Sequence, residues 1–192
     1  MQKTLGIYFT HSHCHSVITQ ITQNQALITN ALRIPLTEQS NTAKIAALNS
    51  MKSALKLPKK IILGISYQYV TIKTISVDNQ LNDNEIFQFL QAHIKEKYLD
   101  YEYLHTQDSS KRIRTISADE IYITEQTQLF KRAKIPLHVI DVDSSALERL
   151  SLFTKTLLPS PNNQNAIGNF PEKNNHIPFL VALGLSLWGF EK

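Results

Sequence analysis

The sequence predicts an α/β fold, and three observations support this. Polar turns separate three strand patterns in residues 5–35, which is typical of a β-meander. Helical and strand patterns then alternate along the chain to about residue 156. The last apolar run, Ile177–Phe190, is too short to span a bilayer, which takes about 20 apolar residues. We expect this run to form a buried helix that packs closely against a neighbour at Gly184.

The first strands are predicted at Leu5–Thr10, Ser16–Ile21 and Ala26–Pro35. Turns are expected between them at His11–His15 and Gln23–Gln25. The helix Asn41–Leu55 follows, since its apolar residues recur at helical spacing, Ser40 or Asn41 can cap it, and Pro58 ends it. Lys60–Ile65 is a short apolar run, consistent with a central strand.

The middle of the chain predicts a second group of strands and helices. Val70–Val77 alternates apolar and polar residues, as a half-buried strand does. Asn82 and Glu85 resemble a capping box at the start of a helix to Tyr98, whose apolar stripe would be Ile86, Phe89, Leu90 and Ile94. The remaining predictions for this part are strands at Tyr98–Leu104, Arg112–Ile116 and Glu120–Ile123, a turn at Gln107–Ser110, and a helix at Glu125–Lys134 with Leu129, Phe130 and Ala133 inward.

The pattern changes towards the end of the chain. Leu137–Val142 is a strong strand, and Ser144 or Ser145 can cap a helix that runs to about Thr156. Leu158–Asn175 is polar, contains prolines and has few apolar residues. We interpret 158–175 as a flexible loop, and the closing helix follows it.

The composition indicates a globular protein and bears on its compartment and on its binding partners. The chain has 192 residues, of which 42% are hydrophobic and 19% charged. A single cysteine, Cys14, excludes an internal disulfide, and the N-terminus lacks the apolar region of a signal peptide, so we expect a cytoplasmic protein. The net charge of +4 is scattered and no aromatic-basic platform accompanies it, so we do not expect nucleic-acid binding.

Several runs of the sequence, in this order, resemble one known family. Leu5–Thr10 is similar to its opening strand, Asn82–Tyr101 to its insert helix and following strand, Ile135–Leu147 to its return run, and Ile177–Phe190 to its closing helix. The chain thereby resembles PilM/ComA-type proteins, the actin-like members of type IV pilus and competence machinery. The resemblance covers Leu5–Ser151 and Ile177–Phe190.

The resemblance implies the first domain of an actin-like (ribonuclease-H-like) fold, with an inserted small α/β subdomain. The first domain would comprise residues 1–65 and 135–192, and the insert residues 66–134. Full-length relatives carry a second domain after the helix that ends here near Thr156. Only Leu158–Asn175 stands at that place, so one wall of the nucleotide cleft would be missing.

The first hairpin also departs from the superfamily pattern. Tyr8 stands at the position of an Asp that helps hold Mg²⁺, Thr10 at the position of a Gly that lets backbone N–H groups approach phosphate, and His15 near that of a Lys. A tyrosine does not supply the negative charge at neutral pH. We therefore expect no ATP hydrolysis, no enzyme activity and no cofactor.

The resemblance also implies a partner. In PilM-like proteins, a short cytoplasmic tail of the inner-membrane protein PilN lies in a groove between the first domain and the insert. Tyr67 and Tyr69 fall at that junction in the sequence and are the predicted peptide-binding residues. The expected function is a scaffold at the inner face of the inner membrane, held there through its partner. Whether the chain forms a homo-oligomer is left open.

Two other functions remain as alternatives. A residual nucleotide-binding protein could complete its cleft with a dimer partner. A metal-binding protein could use His11, His13 and His15, which would share one side of an extended hairpin.

The other reactive residues have simpler interpretations. We expect Cys14 not to act as a nucleophile, and Asp143 to mark a helix N-terminus rather than form a catalytic pair with Asp141. His138 is interpreted as a packed or partly exposed strand residue, Trp188 as a core residue, and Tyr98, Tyr101 and Tyr103 as residues of ordinary sheet packing.

Overall fold

The computed structural model describes residues 2–21, 26–95, 98–104, 111–157 and 176–189, apart from the side chains of 154–157 and 176. The strands are β1 (Gln2–Phe9), β2 (His13–Ile21), β3 (Ala26–Pro35), β4 (Lys60–Ile65), β5 (Val70–Val77), β6 (Tyr98–Leu104), β7 (Lys111–Ala118) and β8 (Val139–Val142). The helices are α1 (Asn41–Ala54), α2 (Asp83–His93), α3 (Glu120–Arg132), α4 (Asp143–Leu157) and α5 (His176–Ser186), and a 3₁₀ turn covers Tyr67–Tyr69.

The chain divides into two compact units. The first consists of Met1–Ser66 and Thr127–Lys192, and the second of Tyr67–Gln126. The sequence predicts an insert at 66–134. In the structure the second unit ends at Gln126, so the boundary between the units lies within α3 rather than after it. Leu129 and Phe130, in the second half of α3, are buried.

The first unit is built on a five-stranded mixed sheet with the order β3-β2-β1-β4-β8. Strands β1, β2 and β3 are antiparallel neighbours, whereas β4 and β8 run parallel to β1. The antiparallel half fits the short turn between β1 and β2, and the parallel half fits the long helical crossovers before β4 and β8. On one face of this sheet, Leu5, Ile7 and Ile61 are fully buried.

Helix α5 forms a buried layer between the sheet and α4. A Cβ atom added to Gly6 of β1 would lie 2.0 Å from the carbonyl oxygen of Ala182 in α5. A Cβ added to Gly184 of α5 would lie 2.0 Å from the carbonyl oxygen of Ala146 in α4. Because α5 contacts protein on both sides, residues 181–187 are all buried. This explains why the run is apolar nearly all round, and it confirms the close packing predicted at Gly184.

Polar groups fix the position of α5 over the sheet. The Ser186 hydroxyl donates to the carbonyl oxygen of Leu183 (2.7 Å) and shares a 2.5 Å hydrogen bond with the hydroxyl of Thr19 in β2. Both Thr19 and Ser186 are fully buried. Their pairing satisfies two hydroxyls that would be costly to bury alone.

The second unit contains a three-stranded antiparallel sheet with the order β5-β7-β6. Ile86 and Leu90 of α2 and Ile113 of β7 form its buried core. The predicted capping box is confirmed: the Asn82 side chain accepts from the backbone of Glu85, and the Glu85 side chain accepts from the backbone of Asn82.

Several local predictions are wrong, among them the cap at Ser144 or Ser145, because α4 already begins at Asp143. Glu120–Ile123 is the first turn of α3 rather than a strand, because Asp119 caps it by accepting from the backbone N–H of Tyr122 (3.0 Å). Helix α2 ends at His93 instead of Tyr98, and Phe89 is exposed rather than part of the inward stripe. The turn predicted at His11–His15 is shorter, because β2 begins at His13 and pairs His15 with Tyr8.

Other predictions agree closely or lie outside the described residues. The bounds of β3, β4, β5 and β6 and the N-cap Ser40 match those predicted, and β8 is shorter than its predicted range. The turns at Gln107–Ser110 and Gln23–Gln25 and the loop 158–175 fall outside the described residues. None of the described helices is long and apolar enough to cross a membrane.

The contact between Gly6 and α5 predicts unequal effects of two similar substitutions. Gly6→Ala should lower the free energy of unfolding by at least about 3 kcal/mol, since its methyl group meets α5 backbone that cannot turn aside. Gly64→Ala, on the adjacent strand β4, is the matched control. Its methyl group meets the end of the Leu185 side chain at 2.6 Å, which can move, so we expect a loss of about 1 kcal/mol. Urea unfolding measures both, and equal losses would contradict this packing.

Candidate functional site

The predicted peptide-binding residues lie on the surface of the second unit. Tyr67 and Tyr69 belong to the 3₁₀ turn that leads directly into β5. Their exposed fractions are 63% and 49%, which is high for rings of this size. Exposed aromatic rings with polar tips are frequent at binding surfaces. The structure therefore leaves both rings accessible, and their role in peptide binding stays a prediction.

Tyr69 also forms one wall of an open pocket within the second unit. Its ring stacks on that of Tyr122 from α3, with the ring centroids 4.3 Å apart and the planes 16° from parallel. The pocket has a volume of about 350 Å³. Its described lining residues are Gln68, Tyr69, Val70, Thr71, Ser117, Asp119 and Tyr122.

Sequence reasoning missed Tyr122 and Asp119 as members of this site. The run 120–123 was predicted as a strand, which separated both residues from Tyr69. The available signal was Asp119 itself, because an aspartate followed by Glu120 is typical of a helix N-terminus. That helix start brings Tyr122 under Tyr69.

The hairpin between β1 and β2 holds Tyr8 and Thr10, two of the residues on which the expectation of no ATP hydrolysis rests. Thr10 closes the turn: its backbone N–H and its hydroxyl both donate to the carbonyl oxygen of His13, at 2.9 and 3.1 Å. The Tyr8 hydroxyl donates to a carboxylate oxygen of Asp143, at the start of α4 (3.0 Å). Tyr8 and Thr10 are thus engaged in contacts within the first unit.

Asp141 and Asp143 have separate partners. Asp141 accepts from the guanidinium of Arg149 at 2.9 Å, and both side chains are only 12% exposed. Arg149 also donates to the carbonyl oxygen of Gly184 (3.2 Å). Asp143 is the first residue of α4 and accepts from the backbone N–H of Ser144 (2.7 Å), which confirms that it marks a helix N-terminus. These contacts give both carboxylates a structural role.

The structure does not bring the three hairpin histidines into one ligand set. His11 lies exposed in the turn, whereas His13 and His15 are in β2 with their ring centroids 5.8 Å apart. His15 is buried, and its ring meets Phe179 of α5 edge-on at 4.9 Å. Among the described residues, no group of three or more His, Cys, Asp or Glu side chains is placed to hold a metal ion.

Three further residues that the sequence singled out are held by contacts within the first unit, although His138 itself is exposed. Burial raises the pKa of the Cys14 thiol to about 12, so the reactive thiolate is not populated near neutral pH. His138 bridges to β4: it donates its backbone N–H to Ile61 (3.0 Å), and its Nδ1 accepts from the Ile61 N–H (3.2 Å). Trp188 packs beside Leu185 and Val181, with the Lys60 ammonium 4.1 Å from its ring centroid.

Comparison with known proteins relates this fold to one solved complex. A chain of the PilM-PilN type IV pilus biogenesis complex matches 77% of this chain with a TM-score of 0.65 and 13% sequence identity. The chain has a PilM-like fold. The match covers 49% of the PilM chain, so the present chain spans about half the length of that relative. This confirms the predicted fold class, an α/β first domain of an actin-like fold.

Two other solved structures match with lower scores. The cytoplasmic domain of EpsL, an inner-membrane component of the Vibrio cholerae type II secretion system, gives a TM-score of 0.49 at 9% identity, covering 84% of this chain and 61% of that one. T. thermophilus RuvC in complex with a Holliday junction gives 0.45 at 8% identity, covering 97% and 91%. No protein-family model and no curated protein sequence matches the chain. At these identities, the likeness to PilM is one of fold.

The environment of His15 predicts a pH-dependent stability. Burial, followed by the nearby His13 and the charge of Arg33, lowers the pKa of His15 from 6.5 to about 4. The unfolded chain therefore binds a proton at His15 between pH 6.5 and 4 that the folded chain does not bind, so stability should fall as the pH falls through this window. The free energy of unfolding should depend on pH more steeply in wild type than in His15→Gln, and the difference in slope should correspond to up to about one bound proton. Denaturant unfolding from pH 7 to 4 measures the slopes, and parallel curves would contradict the prediction.

Proposed function

We propose that this protein is a non-enzymatic scaffold of a type IV pilus or competence apparatus. In this proposal it binds the cytoplasmic N-terminal peptide of an inner-membrane PilN-like protein. The observation that carries the proposal is the PilM-like fold over 77% of the chain, found in a complex of PilM with PilN. The exposed Tyr67 and Tyr69 supply a surface of the kind that holds peptides.

The proposed binding mode is that of an extended peptide held by main-chain contacts and a few side-chain pockets. Strand β5 is at the edge of its sheet and begins at the residue after Tyr69. A peptide strand added there would use the unpaired backbone groups that an edge strand presents. In this proposal the protein is cytoplasmic and is held at the inner face of the inner membrane through its partner.

The contacts of the first hairpin support a function without ATP hydrolysis. Tyr8 stands where the superfamily carries a metal-assisting aspartate, and its hydroxyl is directed to Asp143. Thr10 carries a side chain where a glycine would let phosphate approach the backbone, and that side chain closes the turn onto His13. The hairpin thus offers packing contacts in place of a phosphate cradle, as a degenerate ATPase would.

Calorimetric titration tests the partner. The purified protein should bind the N-terminal cytoplasmic peptide of the PilN-like protein from the same organism in a saturable curve, at about one to one. Tyr67→Ala and Tyr69→Ala should each weaken binding roughly fivefold or more, because truncated aromatic anchors typically cost at least about 1 kcal/mol. Phe87→Ala, an exposed aromatic on α2, is the control and should bind as wild type does. Absence of heat, together with absence of competition at high peptide concentration, would exclude this partner.

A coupled assay tests the enzymatic part. The wild-type protein should release no phosphate from ATP with Mg²⁺ above the buffer rate, because the hairpin lacks the carboxylate that helps position the ion. If wild type does turn over ATP, and Tyr8→Phe or Thr10→Ala abolishes that turnover, the scaffold is an enzyme and this part of the proposal is wrong.

A further inference from the structure

The pocket between Tyr69 and Tyr122 combines features that select one kind of side chain. We propose that it receives the arginine side chain of an extended peptide that adds to the edge of β5. This inference deepens the proposed function and rests on it for the identity of the peptide. All the described residues that line the pocket belong to the second unit.

The aromatic wall of the pocket suits a planar cation. Tyr69 stacks on Tyr122 at 4.3 Å, yet about half of its surface remains exposed. A guanidinium group is planar and weakly hydrated, and it stacks readily on tyrosine faces. The compact, strongly hydrated ammonium of lysine gains less from such a wall.

The charge of the pocket suits the same group. Asp119 is the one charged side chain among the described residues that line it. One carboxylate oxygen of Asp119 accepts from the backbone N–H of Tyr122 (3.0 Å), which fixes the carboxylate beside the aromatic pair. A carboxylate can accept two hydrogen bonds from one guanidinium, which makes arginine a better fit than lysine. Gln68 and Thr71 supply further polar groups.

The size and place of the pocket fit a side chain that enters from a neighbouring strand. Its volume of about 350 Å³ is about ten times the ~30 Å³ that a water molecule occupies in the liquid, which leaves room for a long side chain. Val70 and Thr71, the first two residues of β5, line it. Further along this edge strand, Ile72, Lys73 and Thr74 are exposed. A peptide paired with this edge would pass the mouth of the pocket.

A direct test uses arginine alone, without the partner. N-acetyl-arginine methylamide is titrated into isotope-labelled protein, and the ring signals of Tyr69 and Tyr122 are followed by NMR. We expect saturable shifts of both rings. The citrulline analogue, which has the same shape without the charge, should leave them in place.

Two variants make the test specific. Asp119→Asn should weaken arginine binding roughly tenfold or more, since it removes a charged hydrogen-bond acceptor. It keeps the helix start, because asparagine caps as well as aspartate. Asp100→Asn on β6 is the matched control, since Asp100 is also exposed and accepts from a backbone N–H, that of Tyr101 (2.8 Å), outside the pocket. Equal binding of citrulline, or unchanged binding in Asp119→Asn, would overturn the proposal.

The outcomes also separate this inference from the proposed function. If arginine binds the pocket but the PilN-like peptide does not bind the protein, the pocket stands and the partner is wrong. If the peptide binds, is not displaced by the arginine derivative and binds Asp119→Asn equally well, the partner stands and the pocket assignment is wrong.

Discussion

The first unit depends on the close approach of α5 to its neighbours on both sides. Because Gly6 has no side chain, β1 packs directly against the backbone of α5. Gly184 allows the same close contact between α5 and the backbone of α4. A methyl group at either position would overlap backbone atoms, so both contacts require glycine. The strands that carry Tyr8 and His15 lie under this helix. The packing of α5 therefore also fixes the geometry of the first hairpin. Because α5 is covered on both sides, residues 181–187 are all buried, which explains why the closing run is apolar on nearly every side.

The two units use their polar and aromatic residues in different ways. In the first unit, two residues of the first hairpin make internal contacts: the Tyr8 hydroxyl donates to Asp143, and His15 packs on Phe179. In the second unit, Tyr67 and Tyr69 stay exposed, and Tyr69 shares a pocket with Asp119 and Tyr122. The exposed aromatic rings on which the proposed peptide binding rests thus lie in 67–126, whereas these hairpin residues face other residues of the first unit.

Much of the fold could be predicted from local patterns, and the exceptions have physical reasons. Strands such as Lys60–Ile65 and the capping box at Asn82 and Glu85 are specified by neighbouring residues, so the sequence was sufficient. Glu120–Ile123 was misassigned because its apolar and β-branched residues suit a strand, whereas the cap at Asp119 decides for a helix. The exposure of Tyr67 and the stacking of Tyr69 on Tyr122 depend on how separate elements meet, which no local pattern contains.

The place of α5 in the sequence has a consequence for how the protein is made. Its hydrogen bond partner Thr19 precedes Ser186 by 167 residues, so the helix that covers the first strands leaves the ribosome long after them. Until then, the face of the sheet that α5 covers lacks this helix, and contacts this distant in sequence form slowly. Until α5 has been synthesised, the nascent chain therefore presents apolar strand residues to its surroundings, the situation in which chaperones bind and strands from different chains associate.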